Sequence, residues 1–133
     1  MTQTDKDLVL KDLCARLPYG VNMATGYGRG VLTSIRINDS DERLGINIDP
    51  TLIRMFSVND VKPYLFPLSS MTGEQKEEFN TQSLKLQLQV IDEEIMYEKA
   101  TEFEVDFYNK QHLDWRGLIP MGLAIDATNL NIY

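Results

Sequence analysis

From Val21 to Phe56 the chain alternates at a period of two: Val21, Met23 and Thr25, then Val31, Thr33, Ile35 and Ile37, then Leu44, Ile46 and Ile48, then Ile53 and Met55. Successive side chains of an extended strand point to opposite faces, so this stretch predicts four short strands, each with one buried face. The breaks carry turn chemistry. Gly26, Tyr27 and Gly28 suit a hairpin turn, Asn38 to Glu42 forms a polar loop, and Asp49 and Pro50 mark a further turn. Strands this short and closely spaced predict an α+β fold: a small antiparallel, partly open β-barrel or meander, with an N-terminal helix and a C-terminal helical segment.

The first helix is expected to start near Thr4, with Asp5 and Asp7 where the first N–H groups lack partners. Leu10, Leu13, Cys14 and Leu17 then form one apolar stripe, with Lys6, Lys11 and Asp12 mainly elsewhere on the wheel, and Pro18 to Gly20 end it. On that stripe Cys14 reads as a small buried hydrophobe.

After the strands comes VKPYLFPLSSM, Val61 to Met71. Two prolines four apart predict a buried irregular crossover without continuous ladder pairing. Thr72 with Gln75 is a capping-box pattern for a short helix from Gly73 to about Asn80, with Phe79 facing inward. Leu84, Leu86, Leu88 and Val90 alternate with polar residues and predict a strand. Asp92 to Glu94 suits either a hairpin return or the opening of a helix. From Thr101 to Leu113 a helix is preferred, on a Thr101 to Glu104 capping box. Turns follow through the Trp115 to Leu123 cluster, with a last short strand near Ala124 to Asp126. The tail NLNIY reads as either a docked edge strand or a frayed end. At 133 residues the chain is read as a single domain, 1–133. If it has sub-lobes, they are 1–71 and 83–133.

Charge and motifs exclude more than they assign. With a net charge of −7 there is no basic footprint for a phosphate backbone, so no nucleic acid is expected as partner. One cysteine rules out an internal disulfide and a multi-cysteine metal site. No apolar run approaches a membrane span and the N-terminus has no leader pattern, so a cytoplasmic protein is expected. GYGRG at Gly26 to Gly30 fits neither a dinucleotide fingerprint nor a P-loop, and NDSDER at Asn38 to Arg43 lacks the ligand spacing of a calcium loop. Cys14 and His112 are the one conceivable thiolate and base, and the carboxylate runs read as solvated faces. No catalytic or metal site and no cofactor is therefore expected.

Three blocks, LCARLPYGV (Leu13 to Val21), VKPYLFPLSSMT (Val61 to Thr72) and HLDWRGLIPMGLA (His112 to Ala124), resemble a family of small uncharacterised proteins from gut anaerobic bacteria and their phages or mobile elements. The resemblance implies a single small domain in a phage or mobile-element setting. It carries no active site. The leading expectation is a non-enzymatic accessory protein that binds a protein partner or itself, through a patch containing Tyr27, Tyr64, Trp115 and Arg116. The alternative is a small-molecule, nucleotide-like binder whose pocket would use Tyr64, Trp115 and Arg116.

Overall fold

Four consecutive antiparallel strands occupy the alternating stretch: β1 (Asn22–Thr25), β2 (Gly28–Ile37), β3 (Glu42–Asp49) and β4 (Leu52–Phe56). The structure, a computed structural model, describes residues 1–39, 41–49, 51–89 and 93–133, with side chains described outside 89–100. At the first hairpin Thr25 pairs with Gly28 around Gly26 and Tyr27, and only Gly28 carries the positive φ, at 118°. The helices are α1 (Gln3–Arg16), α2 (Gly73–Gln89) and α3 (Glu93–Lys110). Three further strands, β5 (Lys62–Pro67), β6 (Leu113–Asp114) and β7 (Ile125–Asp126), complete an open mixed sheet of order β4-β3-β2-β1-β5-β6, with β7 also on β5. The class is α+β, with an N-terminal helix, an unclosed sheet and a long helix towards the C-terminus.

The Val61 to Met71 crossover is corrected to a central strand. β5 pairs antiparallel with β1 and parallel with β6 and β7. Pro63 and Pro67 do not prevent this, because successive residues direct their N–H groups to alternate edges. The two prolines are an even number apart, so both missing donors face the same edge. The Phe66 N–H, which points to the other edge, bonds the His112 carbonyl at 2.8 Å. The Leu65 carbonyl, at the opposite end of the same peptide, accepts from the Ala127 N–H at 2.8 Å. β6 and β7 therefore approach β5 from opposite sides.

Helix α1 starts two residues earlier than expected. Thr2 caps the Asp5 N–H, and the Asp5 carboxylate accepts from the Thr2 N–H, both at 3.1 Å. Its buried side is Val9, Asp12, Leu13 and Arg16, with Leu8, Leu10 and Leu17 packed around it. Cys14, expected inside, is exposed, and Asp12, expected outside, is fully buried. An Asp–Arg pair at i, i+4 faces the interior here, which rotates the helix away from what apolar residues alone indicate. The core joins Val9 and Leu13 to Met23, Leu32, Leu44, Ile46, Leu65, Leu118 and Leu123, drawing on both ends of the chain.

The strand expected from Leu84 to Val90 is helix as far as Gln89; Val90 lies outside the described residues. Thr72 does cap α2, with Gln75 completing the box at 2.9 and 3.1 Å, and Phe79 packs on Phe103 and Phe107 of α3. Leu, Lys and Gln are strong helix formers and none is β-branched, so propensity overrides the alternation. Leu84 and Leu88 are consequently exposed. Helix α3 is present as preferred, but it begins at Glu93, so Thr101 is an interior position and not its cap. A Cβ on Gly30 would lie 2.5 Å from the Asn47 carbonyl oxygen and 2.8 Å from Ile46 Cγ2, whereas one on Gly26 meets nothing within 4 Å. We expect Gly30→Ala to lower the urea-unfolding free energy by about 1–3 kcal/mol, and Gly26→Ala to change it by less than about 0.5 kcal/mol.

Candidate functional site

The chemistry-bearing residues fall into two places, one buried and one exposed. The buried cluster ties α1 to the segment after α3. Asp12 Oδ2 accepts from Arg16 Nε at 2.7 Å and its Oδ1 from Arg116 Nε at 3.1 Å, while Arg16 Nη2 donates to the Leu113 carbonyl at 2.7 Å. Asp12 and Arg16 have no solvent-accessible side-chain surface. The next carboxylate, Asp114, accepts the N–H groups of Leu118 and Ile119, each at 2.8 Å, and so closes the turn that follows. The Arg116 guanidinium lies 4.0 Å above the Trp115 ring, and Trp115 Nε1 donates to Asn109 Oδ1 at 2.9 Å.

Next to this cluster the tail docks through one side chain and not as a strand. The Tyr133 hydroxyl accepts from the Asn22 N–H at 3.0 Å and donates to the Tyr64 carbonyl at 2.7 Å, bridging β1 and β5 just beyond their last direct pair. Its ring stacks on His112 at 3.7 Å. Burial raises the Tyr133 hydroxyl pKa to about 12, against smaller lowering effects of the Asn22 bond and of Arg16. Burial, and then repulsion from Arg16, lowers His112 to about 4. His112 thus stays neutral, at a left-handed φ of 59°. Cys14 lies on the solvent side of α1, away from this packing, so the two residues weighed as a dyad sit in different surroundings.

Of the residues expected in an interaction patch, Trp115 and Arg116 are adjacent, partly buried and committed to each other and to Asp12. Arg116 shares the one Asp12 carboxylate with Arg16, so its guanidinium is held in place but not neutralised. Tyr64 is half-buried on β5, with its carbonyl held by Tyr133. Tyr27 is 67% exposed at the hairpin tip, where Arg54 stacks on its ring at 4.4 Å and Phe56 packs at 6.1 Å. A cleft of about 320 Å³ is lined by Tyr19, Phe103, Glu78, Asp106 and Lys110, a donor set with more carboxylates than cations.

The exposed site has no signature in the linear sequence. Cross-strand partners share a face, and Leu32, Leu44 and Ile46 point into the core beneath α1. The residues between them therefore point the other way. The pairing aligns Val31, Asn47 and Ile53 in one row, Ser34, Gly45 and Met55 in the next, and Arg36 with Arg43 beyond. On the other side, Lys62, Ala24 and Arg29 form a row. Val31, Ile53 and Met55 are exposed, as are all four cations. Gly45 leaves the middle of the band low, and Asn47 Oδ1 is shut from solvent with no hydrogen-bond partner among the described residues. This outer face is an apolar band flanked by cations. Only strand pairing reveals it, because its members come from five separate strands.

Comparison with protein-family models, with curated proteins and with solved structures finds no match.

Two outcomes follow from the buried cluster. Asp12→Ala leaves two guanidinium groups without their carboxylate, one of them fully buried, and is expected to lower stability by about 3–5 kcal/mol in denaturant titration, more than Arg116→Met. His112 is the chain's one histidine. Because its folded pKa lies below the unfolded value, the unfolded chain binds the extra proton between about pH 6.5 and 4. The stability from keeping it neutral is complete above that window and is lost as pH falls through it. Screening of the partly exposed ring leaves an effect of about 1–2 kcal/mol. In unfolding titrations His112→Asn, which tolerates the left-handed backbone, should abolish the slope between pH 6.5 and 5.

Proposed function

We propose that the chain is a small non-enzymatic interaction protein that docks a protein partner on the outer face of its sheet, as an accessory protein of the phage or mobile-element kind that its three blocks resemble. The observation that supports this is the contrast between the molecule and that face. The chain as a whole carries −7, yet the rows facing outward hold Arg29, Arg36, Arg43 and Lys62 and no carboxylate. Arg36 and Arg43 are direct cross-strand partners, an arrangement that destabilises a sheet unless something opposes it. Asp41, in the preceding turn, meets Arg43 at 3.4 Å, and both are exposed.

The apolar band favours a protein over a nucleic acid. Single-stranded nucleic acids are held by aromatic platforms, whereas Val31, Ile53 and Met55 are aliphatic and suit side-chain packing. Cations around an aliphatic centre make a polar rim about an apolar middle, the usual anatomy of a protein interface.

The face variant Ile53→Asp with Met55→Asp tests the reading. Both residues are exposed, so stability should change by less than about 1 kcal/mol. In parallel pull-downs, a partner retained by the wild-type chain should be lost by the variant. If the same proteins are retained by both, the outer face is not the docking surface.

A further inference from the structure

The apolar, cationic face has its counterpart on the same chain. Helices α2 and α3 carry nine carboxylates against four lysines, whereas β2 and β4 carry arginines and no acid. On α2, Glu77, Thr81, Leu84 and Leu88 recur at spacings of four, three and four, one stripe of the helix. Leu84 is 57% and Leu88 79% exposed, the latter the most exposed large apolar residue among those described. Phe79 turns to the opposite side and packs on α3, so α3 does not cover this stripe. Glu74 and Glu78 stand beside its N-terminal end and are exposed.

The order of chemistry along α2 matches the order across the sheet. From Leu88 back to Glu77 the helix rises about 16 Å, and to Glu74 about 21 Å. From Ile53 on β4 to Lys62 on β5 is four strand spacings, about 19 Å. A helix laid across the strands therefore sets Leu84 and Leu88 over Val31, Ile53 and Met55 while Glu74 and Glu77 reach Arg29 and Lys62. Neither surface meets the other within one chain, where both stay exposed. We propose that a second copy of this chain occupies the outer sheet face through the leucine and glutamate stripe of its α2. This rests on reading that face as a docking surface. The contact joins two different surfaces, so it is head-to-tail, and copies add in sequence unless the rotation closes a ring.

The test is the mass in solution, by light scattering or sedimentation. The wild-type average should rise above 15.3 kDa with concentration and fall back in high salt, because the charged part is screened. Leu84→Lys with Leu88→Lys removes one surface and Ile53→Asp with Met55→Asp the other. Each variant alone should be monomeric, with affinity for itself reduced at least about tenfold. Mixed in equal amounts, each retains the surface the other has lost, so the mixture should form a two-chain species and nothing larger. Should either variant fail to fold by circular dichroism, Glu74→Lys with Glu77→Lys or Arg29→Glu with Lys62→Glu replaces it.

A wild type that stays monomeric at every concentration overturns the self-association, as does a mixture that stays monomeric while the wild type associates, which would mean a two-fold contact. If the chain is monomeric but the face variant still loses a captured partner, the docking reading stands and its occupant is another protein. If neither occurs, both readings fall.

Discussion

One carboxylate holds the two ends of this chain together. Asp12 receives Arg16 from its own helix and Arg116 from a segment more than a hundred residues later, and Arg16 passes on to the Leu113 carbonyl at the start of β6. A buried ion pair adds little net stability, since removing charges from water offsets their attraction. Its effect here is positional. With Asp12 buried, α1 can present only one face to the sheet, and β6 can sit only where its carbonyl reaches Arg16. His112 and Tyr133 inherit that placement, and the Tyr133 hydroxyl fills the gap where β1 and β5 part.

Around this cluster three blocks of the sequence, Leu13 to Val21, Val61 to Thr72 and His112 to Ala124, take on a physical meaning. The first supplies Leu13, Arg16 and Val21, the second is β5 with its lead-in, and the third runs from His112 through Asp114 and Arg116 to Ala124. Each is long and unlike a generic motif because it meets several constraints at once. β5 must accept β6 and β7 from opposite edges, with its prolines facing only one of them. The His112 block must supply a ladder carbonyl, a carboxylate that closes a turn and an arginine for Asp12 within a few residues. None of these duties is catalytic. The blocks build the hub, and the outer face lies largely outside them.

The four strands were legible in the sequence because a period of two runs from Val21 to Phe56, but their buried face was not: Val31, Ile53 and Met55 of the alternating set are exposed, while Leu32 and Phe56 enter the core. The α2 capping box was also legible, since Thr72 and Gln75 act locally. Where several residue types compete, the local pattern is ambiguous. Leu84 to Leu88 alternate like a strand, yet a solvated helix surface tolerates leucine at any spacing, and propensity then decides. Asp12 reads as polar surface because it is judged alone, although its i, i+4 spacing to Arg16 is the sign of a pair that can enter a core together. Trp115 and Arg116 have the composition of an interface, and in the fold Trp115 Nε1 bonds Asn109, Arg116 bonds Asp12 and the guanidinium lies over the Trp115 ring. The outer face depends on which residues become neighbours across strands, and register is set by turns and bulges that no single stretch displays.

The bare face follows from how little helix the fold has to spend on its sheet. The one helix laid under the β1 to β4 core is α1, and α3 leads into β6, at the far end of the sheet from β4, with α2 packed on it. Among the described residues, none forms a layer on the second face of β1 to β4. An antiparallel sheet can leave one face to water, normally with polar residues there. This face departs from that pattern in two ways, with aliphatic side chains in the middle and like charges directly opposite at its border. Exposed aliphatic surface is unfavourable in an isolated chain and is relieved by a covering layer, whereas the Arg36 and Arg43 pair is already met by Asp41, 3.4 Å from Arg43. The same molecule carries the complementary departure on α2, where two exposed leucines stand in a strongly acidic pair of helices. Two unrelated defects would have no reason to match in length, in order and in sign of charge, and a surface shared between copies accounts for all three.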